Sequence, residues 1–596
     1  MKKRVADIIT EILVENGIDT CFSVVGGGAM HLNNAFALNK NIKKIFNHHE
    51  QACSMAAEGY AKAKGKMAAV CVTSGPGGLN ALTGVEGAWV DSVPMIIISG
   101  HPRYETTVAP TGLDIRYRGV QEFDIVTSIK NMTKYSKTVI EPLDIKYEMQ
   151  KAIDIAMSGR RGPTWIDVPL NVQSAMVEEK DLKPVEPQKN VNGNYHEKEL
   201  EDLISQIENS QRPCLLTGSG LRTSGTVEHF REFMDDLGVP VVGGALQADI
   251  VPNSSSLYFG MSGNIGPRAG NFILQNADLI VVFGNSLAIK QTGFNQKAFA
   301  PKAKIIMIDI AQDEARKPGL SVDRLINIDL AVFFEKIKKY IKKIPINNQW
   351  IDYCNKVYEK FNAFESIENI KETDKNQRVP SALFWKRLIE VAPPDMAIAL
   401  GNSSSIAGIL QAGIKYADQH VIVNYACGSM GDDLPEAIGV SVALGREVIC
   451  VTGDGSVMMN LQELQTIKHN CLPVKVVVFS NDGYGAIRQT FKNFFDGLYS
   501  GCDAKSGVSF PDFGKVADAF GFDYFHCSNC EEVVPSVKWL LSNKQNCLLE
   551  IEQKLDDPIA PKVISKMNAK GEFETPAIHD MYPFIDLKDM EKLIKW

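Results

Sequence analysis

No stretch of this chain is long and apolar enough to cross a bilayer, which takes about 20 consecutive apolar residues. Met1-Lys2-Lys3-Arg4 is basic, but Asp7, Glu11 and Glu15 interrupt the apolar residues after it, so a signal peptide is not expected. Positive charge is in short supply. Lys and Arg number 63 against 71 Asp and Glu, a net charge of −8, leaving no polybasic footprint for nucleic acid or an anionic membrane. The 12 cysteines are scattered, several within apolar runs such as Cys71 and Cys450, as in a reduced cytoplasmic enzyme rather than a disulfide framework. The one CxxC, Cys527 to Cys530 behind His526, has no second pair at zinc spacing, so no metal or redox role is expected of it. Short-period repeats and low-complexity tracts are also missing.

What is present is an ordinary globular composition, 45% hydrophobic and 22% charged, spread over 596 residues. Single cores stop growing beyond about 250–300 residues, so several domains are expected. The pattern predicts an α/β fold of three consecutive doubly wound parallel-sheet domains, over 1–177, 195–345 and 375–555, with a tail over 556–596. In the first, Val5, Ile8, Ile9, Ile12 and Leu13 share a helical face that Gly17 ends. A strand from Thr20 then runs into Gly26-Gly27-Gly28, and further strands are expected at 67–73, 94–99 and 164–168. Polar segments at 178–197 and 368–380 read as linkers, and the middle block predicts strands near 213–217, 239–242, 278–283 and 304–309. The first and third blocks echo each other, each setting a Gly-rich turn after a strand and a helix after the turn.

The most informative stretch is "GDGSVMMNLQELQTIKHNCLPVKVVVFSND", Gly453 to Asp482. Val448–Val451 reads as a buried strand stopped by glycine, 459–469 as a helix and Val474–Phe479 as a second buried strand. Both polar clusters then fall at the carboxyl edge of a parallel sheet, where open α/β sheets bind ligands. The Gly453-Asp454-Gly455-Ser456 turn offers backbone amides to a phosphate. Asp454 supplies a carboxylate and Asn481, 27 positions on (481 − 454), a neutral oxygen. With a backbone carbonyl and phosphate oxygens these compose an octahedral Mg²⁺ site.

That spacing is similar to the thiamine-diphosphate motif, and the likeness extends along nearly the whole chain. "NHHEQACSMAAEGYAKAKGK" (47–66), "TSGPGGLNALTG" (73–84) and "DSVPMIIISG" (91–100) resemble the pyrimidine-binding domain of the acetohydroxyacid (acetolactate) synthase group. "GSMGDDLPEAIG" (428–439), the Gly453 stretch and "SNDGYGAIRQT" (480–490) resemble its diphosphate-binding domain. Many 2-oxo-acid decarboxylases and carboligases share this group.

The resemblance assigns roles by position. Glu50 matches the glutamate at the cofactor's aminopyrimidine, a general acid–base role that needs a buried carboxylate; without the motif it would read as a surface residue at a helix start. Met430 matches the bulky wedge that bends the cofactor, and Gly428 the carbonyl facing its 4'-amino group. Asn402, Ser403, Gly453, Gly455 and Ser456 match diphosphate contacts, while Asp454, Asn481 and the Gly483 carbonyl match metal ligands. Gln121, and Gly28 in the first Gly-rich turn, match positions near the reacting carbon. A second subunit is implied, because Glu50 of one chain faces the diphosphate site of another in this group, so a homodimer or homotetramer is expected.

The chain departs from the acetolactate synthase pattern where the acceptor is chosen. Val120 stands where an aromatic precedes the glutamine, Thr490 where a pocket tryptophan falls, and Leu170 at the lysine of "VPKD". Lys290 falls at the arginine that clamps the acceptor's carboxylate, and a point charge replaces a bidentate fork. These changes imply a wider carbonyl acceptor such as a keto-sugar or bulky aldehyde, while the match at Glu50, Gln121 and Met430 implies a 2-oxo acid donor, pyruvate for preference. The alternatives are an ordinary acetolactate synthase of branched-chain amino acid synthesis and a CoA-linked 2-oxo acid decarboxylase. A non-catalytic scaffold is disfavoured because Glu50 and Asp454 are both present. The middle block resembles a flavin domain in "GMSGNIGPRAGN" (260–271) and "GNSLAIKQTG" (284–293). Asp309, Asp329 and Arg160 fall at flavin contacts but Ser286 replaces an expected arginine, so FAD is implied beside ADP or an empty domain.

Overall fold

Short runs of Val, Ile and Leu, buried on both faces, become the central strands of three parallel sheets with helices on either side. The computed structural model describes residues 2–185, 192–245, 247–361, 372, 374–567 and 571–594. Parts of both expected linkers, 186–191, 368–371 and 373, lie outside the described residues.

The first sheet has six strands in the spatial order Lys43–Phe46, Thr20–Ser23, Ala69–Val72, Ile96–His101, Thr164–Pro169, Tyr135–Thr138. Numbered along the chain, that is 2-1-3-4-6-5. The third sheet runs His420–Val423, Ala397–Leu400, Val448–Gly453, Val474–Ser480, Cys547–Glu552, Asp523–Cys527, the same 2-1-3-4-6-5 order. The echo between the blocks is therefore a shared topology. The middle sheet differs: Tyr258–Met261, Val241–Gly243, Pro213–Thr217, Leu279–Phe283, Lys304–Asp309, Arg324–Asn327 is the 3-2-1-4-5-6 order of dinucleotide-binding folds. In each sheet the chain leaves neighbouring strands toward opposite faces at one place, and the loops there open a crevice.

The outer domains share one core. Phe22, Tyr60, Val85 and Trp165 of the first pack in the same cluster as Leu434, Ile438, Val448 and Leu464 of the third. Its spine is the crossing of helices Glu50–Lys64 and Asp433–Leu444. A Cβ on Gly59 would meet the Glu436 carbonyl at 2.5 Å, and one on Gly439 the Ala56 carbonyl at 1.9 Å, so the backbones touch only because both residues are glycine. Lys62 is mostly covered at this crossing, its Nζ 2.7 Å from Glu58, 3.0 Å from Asp91 and 3.2 Å from Glu436. Burial lifts the carboxyl of Glu58 to about 8 and that of Glu436 to about 7 despite the nearby ammonium.

One expected element is corrected. Residues 459–469 are not a single helix: a one-turn helix, Asp454–Val457, is succeeded by turns and then by Glu463–His469. Asn460 breaks the run because its Nδ2 donates to the Gly431 carbonyl at 2.6 Å, tying the turn to a neighbouring loop instead of continuing a helix. The C-terminal residues fold back on the middle domain, where Val563 N donates to Asn264 O at 2.8 Å and Asn271 Nδ2 to Ile578 O at 3.0 Å. Among the described residues no helix is long and apolar enough to cross a membrane.

Candidate active site

In the third domain the crevice lies between the ends of Ala397–Leu400 and Val448–Gly453, flanked by the loops that carry Asn402, Ser403 and Asp454. Asp454 is 2% exposed and is held by backbone amides. Gly455 N donates to its Oδ1 at 2.8 Å, and Asn481 N and Gly483 N donate to its Oδ2 at 3.0 and 3.1 Å. Burial nevertheless pushes the carboxyl up to about 6, so a cation beside it would offset a strained charge. Gln553 accepts from Asn481 Nδ2 at 2.9 Å, which orients the amide, and Oδ1 accepts from Arg488 at 3.3 Å with its second lone pair left for a ligand. The expected Asp454, Asn481 and Gly483 thus stand together.

Glycine is required by space here. A Cβ on Gly455 would meet the Tyr484 ring at 2.2 Å, and one on Gly483 the Cys502 carbonyl at 2.0 Å. Ser456 Oγ donates to Asp433 Oδ2 at 2.6 Å and accepts from Gly431 N at 2.9 Å, which joins the Met430 loop to the Asp454 turn. Asn402 Nδ2 donates to the Ser429 carbonyl, and Ser403 (φ 63°) and Gly428 (φ 65°) turn the two strand-end loops. Among the described residues no three His, Cys, Asp or Glu side chains gather as a metal site of their own, so a cation at Asp454 needs oxygens from a ligand such as a diphosphate. One buried carboxylate, one oriented amide and close-approach glycines fit magnesium diphosphate.

The first domain builds its own crevice from the equivalent loops. Glu50 opens helix Glu50–Lys64, only 9% exposed, with Asn80 Nδ2 donating to its Oε2 at 2.9 Å. The adjacent wall has no side-chain bulk: a Cβ on Gly77 would lie 3.4 Å from Glu50 Oε1 and 2.7 Å from Thr73. Gly28 N donates to Thr73 Oγ1 at 3.1 Å, and a Cβ on Gly75 would meet the Gln121 carbonyl at 2.5 Å. Gln121 itself takes the left-handed region (φ 57°). So Glu50, Gly28 and Gln121 share one sheet edge. The base of the Glu50 helix also docks on the third domain, where Glu463 accepts from Asn47 Nδ2 at 2.8 Å and His48 N at 2.9 Å. Among the described residues no hydrogen bond joins Glu50 to the Asp454 loop of the same chain.

Comparison with known proteins matches both outer domains and the middle one. Residues 3–127 match the family description "Thiamine pyrophosphate enzyme, N-terminal TPP binding domain", 200–331 its central domain and 401–551 its C-terminal TPP binding domain. The chain is 30% identical over 549 residues to the acetolactate synthase large subunit of Parasynechococcus marenigrum (strain WH8102), covering 87% of this chain and 82% of that one. It is 29% identical to the Lactococcus lactis subsp. lactis (strain IL1403) large subunit, over 94% of each. With acetolactate synthase isozyme 2 large subunit of Escherichia coli (strain K12) it shares 28% over 92% of this chain and 95% of that one. This chain belongs to the thiamine-diphosphate enzymes of the acetolactate synthase group.

As a member of that group it is a thiamine-diphosphate enzyme working on small molecules such as 2-oxo acids. The residues expected to choose the acceptor do not gather within one chain. Val120 is 84% exposed, Thr490 is exposed on helix Gly485–Phe494, and Leu170 begins the short helix after Thr164–Pro169. Lys290 donates to the Tyr425 carbonyl, with its ammonium 3.8 Å from that ring's centre.

Arg160, Asp309, Asp329 and Lys290 instead line a cavity of about 670 Å³ where the three domains meet. Its floor is the crevice of the middle sheet, where Gly218 and Gly220 press against Gly284 closely enough to exclude any Cβ. Two of these side chains already have work to do. Asp329 Oδ1 caps helix Leu330–Ile337 by accepting from Ala331 N at 2.8 Å, and Arg160 pairs with Glu314. Burial raises the Asp309 carboxyl to about 6. In the CxxC, Cys527 and Cys530 are both buried and bond to separate carbonyls, Asn529 and Arg378.

Sequence reasoning missed two features of the site. Arg488, buried, donates to the Asn481 carbonyl at 2.8 Å and so braces the metal loop; its place on the exposed-looking helix gave no signal. His101 ends strand Ile96–His101 and pairs with buried Asp167, 3.1 Å away, on the same edge as Gly28. A histidine directly after a Gly-ended apolar strand was the available signal.

Proposed function

We propose that this enzyme takes the acyl unit of a 2-oxo acid, pyruvate first among them, and joins it to a carbonyl acceptor larger than a second pyruvate. The observation that carries the reading is the pair of half-sites: buried Glu50 on one sheet edge and Asp454 with Asn481 on another of the same topology. Bound thiamine diphosphate supplies the carbon nucleophile that releases CO₂ from the 2-oxo acid and carries the acyl unit. Glu50 holds and moves a proton at the aminopyrimidine N1'. Gly428 would offer its carbonyl to the 4'-amino group of the bound cofactor, and Met430 would pack against it. Asp454, Asn481 and the Gly483 carbonyl hold Mg²⁺ against the diphosphate, and Gln121 and Gly28 border the reacting carbon.

Two chains complete each site in this reading. The edge that carries Glu50 exposes Val25, Met30, Leu79 and Val120, and the Asp454 loop exposes Met458 and Met459, apolar surface of the kind a second copy would cover. The acceptor assignment rests on Val120 and Thr490, small where large aromatics are the pattern, and on Lys290, already engaged with the Tyr425 carbonyl. FAD is proposed for the central cavity, whose glycine turn at 218–220 and dinucleotide-type sheet suit it, with Arg160, Asp309 and Asp329 on its wall.

The test is product analysis with pyruvate alone and with pyruvate plus a panel of aldehydes and keto-sugars. Acetolactate should form slowly, and a larger carboligation product faster once its acceptor is added. Efficient acetolactate synthesis that no added acceptor diverts would make this an ordinary acetolactate synthase.

A further inference from the structure

His101 lies where strand Ile96–His101 ends, between two segments already placed at the site. The residue before it touches Gly28: a Cβ on Gly100 would lie 2.1 Å from the Gly28 carbonyl oxygen. The residue after it supports the Gln121 loop, since Pro102 lies 3.3 Å from where a Cβ of Gly119 would be. The residue is 8% exposed. Its Nδ1 is 3.1 Å from Asp167 Oδ2, and Asp167 is itself fixed by Ser99 Oγ at 2.6 Å and Thr138 Oγ1 at 3.1 Å. Trp165 Nε1 donates to Ser99 Oγ at 2.7 Å and closes the far end of this chain of bonds. Nε2 makes no hydrogen bond among the described residues, so the network ends in one ring nitrogen on a residue whose two chain neighbours abut the Gly28 and Gln121 segments.

A carboxylate that holds one imidazole nitrogen selects the tautomer and favours the charged ring. Burial opposes that charge, but the hydrogen bond and charge of Asp167, with Glu122 and Asp124 of the Gln121 loop, leave His101 above its ordinary value. Asp167, Glu122 and Asp124 are the charged groups that act most strongly on the ring.

We propose that His101, oriented by Asp167, is a second proton-moving residue of this site and protonates the acceptor's carbonyl oxygen as the new carbon–carbon bond forms. The assignment rests on the carboligase reading above. The transferred acyl carbon supplies the electron pair of the new bond, the acceptor's C=O π pair moves onto oxygen, and that oxygen takes the Nε2 proton. Neutral imidazole, still bonded to Asp167, regains a proton from solvent. That matches the overall stoichiometry, in which each turnover consumes one proton because a carboxylate leaves as CO₂.

The experiment measures carboligation product per CO₂ released, with free aldehyde as the competing product, across pH 5.5 to 9. Wild type should lose product per CO₂ as pH rises through the His101 titration. His101→Gln should give a ratio about tenfold or more lower, without that pH step. Independently of turnover, ¹³C-histidine NMR of the cofactor-free protein should place His101 above about 6.5 and lower it in Asp167→Asn. The His101→Gln spectrum assigns the signal; if that variant does not fold, the wild-type partition and Asp167→Asn decide. A wild-type partition that is flat with pH, an unchanged ratio in His101→Gln, or a midpoint indifferent to Asp167→Asn would each overturn the assignment. Absence of CO₂ release from any 2-oxo acid by wild type would overturn the carboligase reading on which it stands.

Discussion

Glu50 opens its helix at the edge of the first sheet. His49 caps the helix through Nδ1, accepting from Gln51 N at 3.1 Å, and the carboxylate turns inward toward Asn80 and the glycine wall at Gly77. Glu50→Gln keeps that hydrogen bond and the volume but cannot relay a proton. It is expected to fold and bind thiamine diphosphate normally, yet to slow CO₂ release from pyruvate by about 100-fold or more. Hydrogen–deuterium exchange at C2 of the bound cofactor should fall with it, and near-normal exchange would remove Glu50 from the role. At this scale the sequence was legible only through motif. Residue type alone makes Glu50 a surface helix start, and nothing local to His101 announces Asp167, 66 positions away (167 − 101), as its partner.

At the scale of elements, the crossing of Glu50–Lys64 with Asp433–Leu444 decides how the outer domains meet. Gly439→Ala drives a methyl against the Ala56 carbonyl and should cost about 3 kcal/mol in denaturant unfolding. Gly445→Ala, at φ 63° with no atom near its Cβ, should cost only about 1 kcal/mol. Equal losses would mean the crossing is not tightly packed. The same interface should respond to pH. The carboxyls of Glu58 and Glu436 are raised by burial, so the stability they give is full below their ordinary range near 4.5 and is lost as pH rises through about 7 to 8. Thermal scans should therefore show wild type losing stability between about pH 4.5 and 8, and Glu436→Gln losing roughly 3 kcal/mol less over that window. A parallel pH dependence in the two proteins would contradict the assignment. Strands such as Val474–Ser480 were legible because burial on both faces needs continuous apolar runs. The 459–469 segment was misread because helical polarity does not show that Asn460 is committed to the Gly431 carbonyl.

The whole molecule repeats one topology at its two ends and sets a dinucleotide-type sheet between them. The three-block order was visible in the alternation of strands and helices, but the meeting of all three domains around the 670 Å³ cavity was not, since it depends on contacts such as Lys290 to Tyr425 across 135 positions. In the proposed function Glu50 and Asp454 are the two halves of one site shared by two chains, so each variant carries a defect the other can complement. Glu50→Gln and Asp454→Ala, each inactive alone, should be dissociated, mixed equally and reassociated with thiamine diphosphate and Mg²⁺. In a randomly mixed dimer one site in four unites an intact Glu50 with an intact Asp454, so CO₂ release from pyruvate should return to about a quarter of wild type. No recovery from a mixture shown to contain heterodimers would contradict the account, because it would place both residues of each site on the same chain.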